Sequence, residues 1–328
     1  MPKPGFASVP LLCLAVMIAY AGCAAAQQMA DSSFDTRVEN PAYRDQHPVV
    51  VIDQAHHNFH TASGRYKPLA ELLKHDGYKI VAGKKRFSAD GLRDCAVLVI
   101  ANAMGSNRMM DEDAGKPPFT QAEYDAVVDW IKSGGSLLLI ADHAPFGSAA
   151  AGLAHALGVD MSQGFTIDVH HLGRSPSELV FDRGDGLLGD HPITSGRNQS
   201  ETINRVITFT GQSLQGPEGS TAILKLAETA EDVHPLSPLE RRAAMHGERS
   251  RRAQKTSAAG RAQAIAFELG KGRVVVLGEA AMLSAQVIRG RMAEAMGEGD
   301  ELKMGMNVPG SDDRQFALNI FHWLSHAL

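Results

Sequence analysis

The chain has 328 residues, of which 44% are hydrophobic and 21% charged, so we expect a packed core in one large domain or two modest ones. The formal net charge of −5 and the pI near 6.3 argue against a nucleic-acid-binding protein. A basic stretch at about 234–261 also contains acidic residues, which favours a solvated surface insertion.

The first 26 residues resemble an export signal. Lys3 is the only charge before a mostly apolar run at 9–22, and that run is too short to cross a bilayer comfortably as a helix. Cleavage after Ala26 would give a soluble periplasmic or secreted protein. Cleavage before Cys23, which leaves a signal of 22 residues, would give a protein anchored to the cell envelope by lipid. We therefore expect export, with membrane contact only through a lipid anchor at Cys23.

Cysteine usage agrees with this expectation. Cys13 and Cys23 both lie in the signal-like segment, which leaves Cys95 as the remaining cysteine. No intrachain disulfide is therefore expected in the mature chain.

After a polar leader at 27–46, strands and helices alternate through a single domain at 47–328. Apolar runs predict strands near 47–53, 78–81, 97–101, 137–141, 206–211, 222–226, 262–269 and 273–278. Helical spacing of apolar residues predicts helices near 66–75, 120–133, 149–157 and 313–328. A long polar loop is expected at 102–119 and a flexible loop at 304–307. The wholly apolar strands indicate an α/β fold with a mostly parallel sheet covered on both faces.

Polar side chains follow three of these strands at the point where each strand ends. Asp53, Asp142-His143 and Glu279 each come directly after an apolar run. Because the carboxyl ends of parallel strands meet at one edge of an open sheet, these side chains could converge on one cleft. We therefore predict Asp53, Asp142, His143 and Glu279 as the catalytic residues.

The histidine-rich stretch after the first strand adds nitrogen donors to this edge. Four side chains are predicted as ligands of zinc or another divalent ion: His57, His60, Asp53 and His143. Their spacing matches no established zinc signature such as His-Glu-x-x-His. The alternative is that the loop histidines cap helices and hydrogen-bond to the backbone.

Several segments resemble a bacterial exported family of unknown function whose fold is similar to that of class I glutamine amidotransferases. The segments lie at 52–61, 134–143, 190–193, 272–279 and 313–319. The resemblance implies a three-layer flavodoxin-like fold with helices on both faces of a mostly parallel sheet. The amidotransferase reaction does not carry over, because 140–145 reads Ile-Ala-Asp-His-Ala-Pro and has no cysteine or serine at the strand-to-helix elbow.

Two functions remain open. The first is an exported hydrolase, metal-assisted or using acid–base chemistry alone, that acts on a small polar molecule such as a carbohydrate or an amide. The second is a non-catalytic cell-envelope module that binds a small molecule or a glycan. The absence of an elbow nucleophile gives weight to the second.

Overall fold

The computed structural model describes residues 28–175, 178–234, 254–289 and 301–328. The predicted signal segment and most of the predicted basic insertion lie outside these residues. Within the described ranges, no helix has both the length and the apolar character needed to cross a membrane.

The strands are numbered in chain order over the described residues. They are β1 (Gln28–Ala30), β2 (Val49–Asp53), β3 (Lys79–Gly83), β4 (Val97–Ala101), β5 (Ser136–Ile140), β6 (Asp160–Met161), β7 (Phe165–Ile167), β8 (Glu178–Asp182), β9 (Arg205–Phe209), β10 (Leu214–Gln215), β11 (Thr221–Lys225), β12 (Glu231–Val233), β13 (Lys255–Ser257), β14 (Ala262–Leu269), β15 (Gly272–Leu277), β16 (Ala285–Arg289) and β17 (Glu301–Gly305).

The helices are numbered in the same way. They are α1 (Lys67–His75), α2 (Ala89–Leu92), α3 (Gln121–Lys132), α4 (Phe146–Ala156), α5 (Pro192–Ser195) and α6 (Asp313–Leu324). Two short 3-10 helices lie at Gln199–Glu201 and Ala281–Leu283.

The largest sheet has nine strands in the order β3-β2-β4-β5-β15-β14-β10-β6, with β11 paired to β14. Five neighbouring strands of this sheet run parallel: β3, β2, β4, β5 and β15. The other strands, β14, β10, β6 and β11, are joined by antiparallel pairs. The expectation of a mostly parallel sheet was therefore wrong, and the sheet is mixed. One cause is the tight turn at 270–271: a connection of two residues can join only antiparallel neighbours, so β14 must reverse against β15.

Helices lie on both faces of this sheet. On one face, α1 and α6 pack against inward-facing residues such as Val99 and Leu138. On the other face, α3 and α4 pack against alternate residues such as Leu98 and Leu139. All five residues of β4 and all five of β5 are buried, as expected for strands covered on both sides.

Local sequence accounts for the ends of several elements. Thr120 and Glu123 form a capping box at the start of α3. Gly77 follows α1 with a φ of +96°, and a Cβ there would lie 2.0 Å from the carbonyl oxygen of Tyr43, so the close approach of the backbone requires glycine.

Of the strands outside the central sheet, β9 matches the strand predicted near 206–211, whereas β1, β16 and β17 were not predicted. The expected flexible loop at 304–307 instead includes the end of β17, which pairs with β16, and β16 in turn pairs with β1. Leu302 and Met304 of β17 are buried. The predicted polar leader therefore contributes an edge strand to a second sheet.

The central strand β5 provides a test of this core. Leu138→Ala should lower the free energy of unfolding by about 2–5 kcal/mol, because it leaves a cavity between the sheet and its helices. Val81→Ala is the matched control, since Val81 is 36% exposed on edge strand β3, and it should cost less than about 1 kcal/mol. Urea unfolding measures both values, and equal losses would contradict the proposed packing.

Candidate functional site

The four central parallel strands present polar residues at one edge of the sheet. Asp53 is the last residue of β2, and beyond the carboxyl ends of the other three strands lie Asn102 after β4, Asp142 after β5 and Glu279 after β15. Ile140 and Leu277 are register partners, and an acid follows each of them two residues later. Asp142 and Glu279 therefore meet, whereas strand β4 lies between Asp53 and that pair.

Asp142 and Glu279 form a buried pair of carboxyl groups. Glu279 is fully buried, and its two oxygens accept the backbone N–H groups of Ala281 at 2.5 Å and Met282 at 2.8 Å. Burial and the neighbouring Asp142 raise the pKa of Glu279 well above its usual value. Burial also raises the pKa of Asp142, although His143 and several N–H donors oppose this rise. The pair therefore holds a proton more tightly than isolated carboxyl groups do.

A layer of neutral polar groups supports this pair. The hydroxyl of Tyr66 donates to the carbonyl oxygen of Ala280 at 2.8 Å, and Asn102 Oδ1 accepts the N–H of Asp142 at 2.9 Å. His60 lies with its ring centroid 4.6 Å from that of Tyr66. Burial, together with the charge of Arg65, lowers the pKa of His60 to about 3, so this imidazole is neutral.

His143 differs from these buried groups because its side chain keeps 16% exposure. Its Nδ1 lies 2.8 Å from the carbonyl oxygen of Ala144, so this nitrogen carries the donated proton in the neutral ring. Nε2 is then left with a lone pair, 3.9 Å from Asp142 Oδ1. Phe165 stacks on the ring with centroids 4.4 Å apart and fixes its plane.

Asp53 belongs to a separate buried cluster. Its Oδ2 accepts hydrogen bonds from His56 Nδ1 at 2.9 Å and from Asn58 Nδ2 at 2.5 Å. The other nitrogen of His56 donates to Glu123 at 2.7 Å, so both ring nitrogens are donors and the ring is an imidazolium. Burial alone would lower the pKa of His56, but the two carboxylates raise it.

Glu123 joins this cluster to helix α3. Its carboxylate accepts hydrogen bonds from Arg86 at 2.8 Å, from the Thr120 N–H at 3.0 Å and from the Phe87 N–H at 3.2 Å. Burial opposes ionisation, yet the hydrogen bonds from Thr120 and the interaction with His56 lower the pKa of Glu123 to about 2. Asp53 is therefore held in a network that fixes the loop after β2 to α3.

The structure does not bring the four predicted metal ligands together. His57 is exposed with a φ of +51°, Asp53 is bound to His56 and Asn58, and His60 and His143 have the separate settings described above. Within the described part of the chain, no group of three or more histidine, cysteine, aspartate or glutamate side chains is placed to hold a metal ion.

Sequence reasoning missed four residues that build this edge. Tyr66 and Asn102 support the carboxyl pair, and His56 and Glu123 bind Asp53. Glu123 was visible in the sequence only through its capping-box spacing. Asn102 had a signal of its own, because it follows an apolar strand just as the predicted acids do.

No protein-family model matches the chain, and no curated protein matches it. The fold is similar to that of the mmIFT52 N-terminal domain, with a TM-score of 0.53 and 14% identity over 84% of this chain and 97% of that one. A cytoplasmic protein from Salmonella typhimurium LT2 gives a TM-score of 0.43 and 12% identity over 84% and 99%. A protein described as ThuA-like from Bacteroides uniformis gives a TM-score of 0.41 and 12% identity, over 90% of this chain and 95% of that one.

The network around Glu123 predicts acid-sensitive stability. Glu123→Gln should lower the free energy of unfolding by about 3–5 kcal/mol near neutral pH, because it leaves His56 with one carboxylate. The pKa of Glu123 in the folded protein lies below its value of 4.5 in the unfolded chain. The stabilisation by ionised Glu123 is therefore fully present above about pH 4.5 and disappears as the pH falls towards 2.

Urea unfolding over this pH range measures the difference. The control is Glu71→Gln, which removes the exposed pair with Lys74 and should cost less than about 1 kcal/mol. A loss in Glu123→Gln that does not change with pH would contradict the ionised network.

The pair of Asp142 and Glu279 predicts the opposite dependence of stability on pH. The pKa of Asp142 is higher in the folded protein than its ordinary value of 3.8. Its contribution to the free energy of unfolding is therefore fully present below about pH 3.8, and it is lost as the pH rises through the raised pKa. The stability of Asp142→Asn relative to wild type should therefore improve as the pH rises above about 4. Chemical denaturation gives this difference, with exposed Asp185→Asn as the control for net charge. If the difference in unfolding free energy between Asp142→Asn and wild type does not change with pH, the carboxyl groups of Asp142 and Glu279 do not interact as described.

Proposed function

We propose that the carboxyl edge of the sheet binds a small polar molecule and hydrolyses it by acid–base chemistry, with His143 and Asp142 as the catalytic residues. The observation that carries this proposal is the setting of His143. Its Nδ1 is held by a backbone carbonyl, its Nε2 lies near a carboxyl group, and its side chain reaches solvent.

The reaction needs only groups present at this edge. Nε2 of His143 takes a proton from water while the water oxygen forms a bond to the substrate carbon. The bond to the leaving group breaks, and that group takes the proton of the Asp142 carboxyl, whose raised pKa favours the protonated form. Direct attack by water suits a site whose strand-to-helix elbow has no cysteine or serine. A glycoside or an amide fits this scheme.

The remaining predicted catalytic residues have positioning roles in this proposal. Glu279 keeps a second carboxyl beside Asp142 and so raises its affinity for a proton. Asp53 fixes the loop that carries His60. Because the four predicted metal ligands are dispersed in the described residues, we propose the metal-free form of the reaction.

A non-catalytic binding module is the second candidate. Asp53 and Glu279 are fully buried and accept hydrogen bonds from groups of the protein itself. This favours a non-catalytic module, because neither acid is free to act on a bound molecule. In this alternative the edge of the sheet beside His143 would bind a small molecule or a glycan without converting it.

Two further proposals concern the class and location of the protein. We propose a flavodoxin-like arrangement of three layers, supported by the parallel strands from β3 to β15 and by the helices on both faces. We also propose export, supported by the signal-like sequence before residue 27, which ends at Ala26 or before Cys23.

Hydrolysis of p-nitrophenyl glycosides and amino-acid p-nitroanilides tests the catalytic proposal. His143→Gln removes the proton acceptor and should lower kcat/KM by at least about 100-fold. Asp142→Asn should also lower kcat, because it removes the proton for the leaving group.

His155→Gln is the matched control, since His155 is an exposed histidine on α4, and it should keep wild-type activity. Wild-type activity in folded His143→Gln would overturn the assignment of the base. If the wild type binds the glycosides without cleaving them, and His143→Gln loses that binding, the non-catalytic module is correct.

A further inference from the structure

Strand β3 leaves one side of the central sheet open. It is the first strand in the order of the sheet, and among the described strands it pairs with β2 alone. The parallel pairing is regular from Lys79 to Gly83, without a bulge. The strand contains no proline, and its one charged residue stands at its start. Bulges, prolines and inward-pointing charges are the features that commonly block a sheet edge, so β3 keeps the regular backbone that another strand needs for pairing.

The backbone groups of β3 alternate in direction along the strand. The carbonyl oxygen of Gly83 accepts a hydrogen bond from the Gln54 N–H at 2.7 Å, so Gly83 faces the β2 side. In a parallel ladder alternate residues face the same neighbour, and the backbone groups of Ile80 and Ala82 therefore point to the open side. Among the described residues these groups have no hydrogen-bond partner. Two N–H and two C=O groups are thus available to an added strand.

The middle of β3 is apolar and reaches solvent. Val81 is 36% exposed, and Ala82 is also exposed. The register partner of Val81 on β2 is Val51, which is only partly buried. Because side chains alternate between the two faces of a strand, an added strand would place side chains beside Val81 on one face and beside Ala82 on the other. β-branched residues suit these positions, since they pack well on a pleated surface.

Lysine side chains lie at both ends of this edge. Lys79 begins β3, Lys84 and Lys85 follow it, and all three are exposed. Among the described residues none of these three ammonium groups has an ion-pair partner. Arg86 does not belong to this set, because its guanidinium pairs with Glu123 at 2.8 Å. The open edge is therefore basic at both ends and apolar at its centre.

A second copy of the chain fits this edge poorly. If two β3 strands paired antiparallel about a two-fold axis, Lys79 of one copy would lie near Gly83 and Lys84 of the other. Like charges on neighbouring strands destabilise a sheet. An acidic strand has the opposite effect, because its carboxylates would meet the lysines at both ends of the edge.

We infer that the open edge of β3 binds an extended acidic peptide segment of another protein, which adds a strand beside β3. Ile80 and Ala82 supply the backbone hydrogen bonds, and Lys79, Lys84 and Lys85 bind carboxylates of the peptide. The inference does not depend on the reaction proposed for the carboxyl edge.

Fluorescence anisotropy with the labelled peptide Glu-Glu-Val-Thr-Val-Glu-Glu and the purified protein tests this inference. The peptide is acidic at both ends, so it suits either strand direction, and binding is expected. A peptide with lysine in place of every glutamate should bind at least about tenfold more weakly, because it places like charges beside the lysines of the edge. Glu-Glu-Pro-Thr-Pro-Glu-Glu keeps the charge but loses two backbone donors, and it should also bind at least about tenfold more weakly.

Two variants of the protein separate backbone pairing from charge. Ala82→Pro removes an N–H that points to the open side and leaves the ladder with β2 intact, so it should weaken binding at least about fivefold. Lys84→Glu/Lys85→Glu should lower the preference for the acidic over the basic peptide at least about tenfold. The matched control is Lys225→Glu/Lys271→Glu, which makes the same change of charge at two exposed lysines away from β3 and should bind as the wild type does.

Three results would overturn the inference: no binding of the acidic peptide up to about 1 mM, wild-type binding by either variant, or equal binding of the proline-containing peptide. Lys84→Glu/Lys85→Glu keeps the test valid if Ala82→Pro does not fold, because it leaves the backbone unchanged. Sedimentation velocity tests the other occupant. Concentration-dependent dimers that Ala82→Pro abolishes would show that a second copy covers β3, which would overturn the assignment to an acidic peptide.

Discussion

The electrostatic interaction between the buried carboxyl groups of Asp142 and Glu279 determines how the carboxyl edge of the sheet is built. Two carboxyl groups removed from water are costly unless donors or protons compensate for their charge. Here the turn after β15 supplies N–H groups from 280–282 to both acids, and Tyr66 holds the carbonyl oxygen of Ala280. The loop after β5 and the turn after β15 are thereby joined, and the His143 side chain emerges from the joined region.

Much of the central sheet was predictable because its strands are short apolar runs between polar residues. β4 was predicted with its observed limits, and the strands predicted near 262–269 and 273–278 correspond to β14 and β15. Two strands of the antiparallel part, β6 and β10, were not predictable, since they contribute two residues each, too few to show a period. The sheet of β1, β16 and β17 joins residues more than 250 positions apart, and no local pattern specifies such a pairing.

The candidate site was predicted at the level of strand ends but not of side-chain partners. Topology alone places Asp142 and Glu279 at one edge, because their strands are parallel neighbours. The adjacent residues His56 and His57 show why the rest could not be predicted. One is buried between two carboxylates, while the other has a positive φ and faces solvent. Loop conformation decides between these outcomes, and the sequence of the loop does not reveal it.

Three imidazoles near this edge have become chemically different through their neighbours. His56, between two carboxylates, is a cation whose nitrogens are both donors. His60, buried beside the charge of Arg65, is neutral and in contact with Tyr66. His143 alone of the three combines a nitrogen without a close partner with contact to solvent. Proton transfer to a bound molecule requires both properties, and for that reason the proposed reaction uses His143 and not the histidine-rich loop after β2.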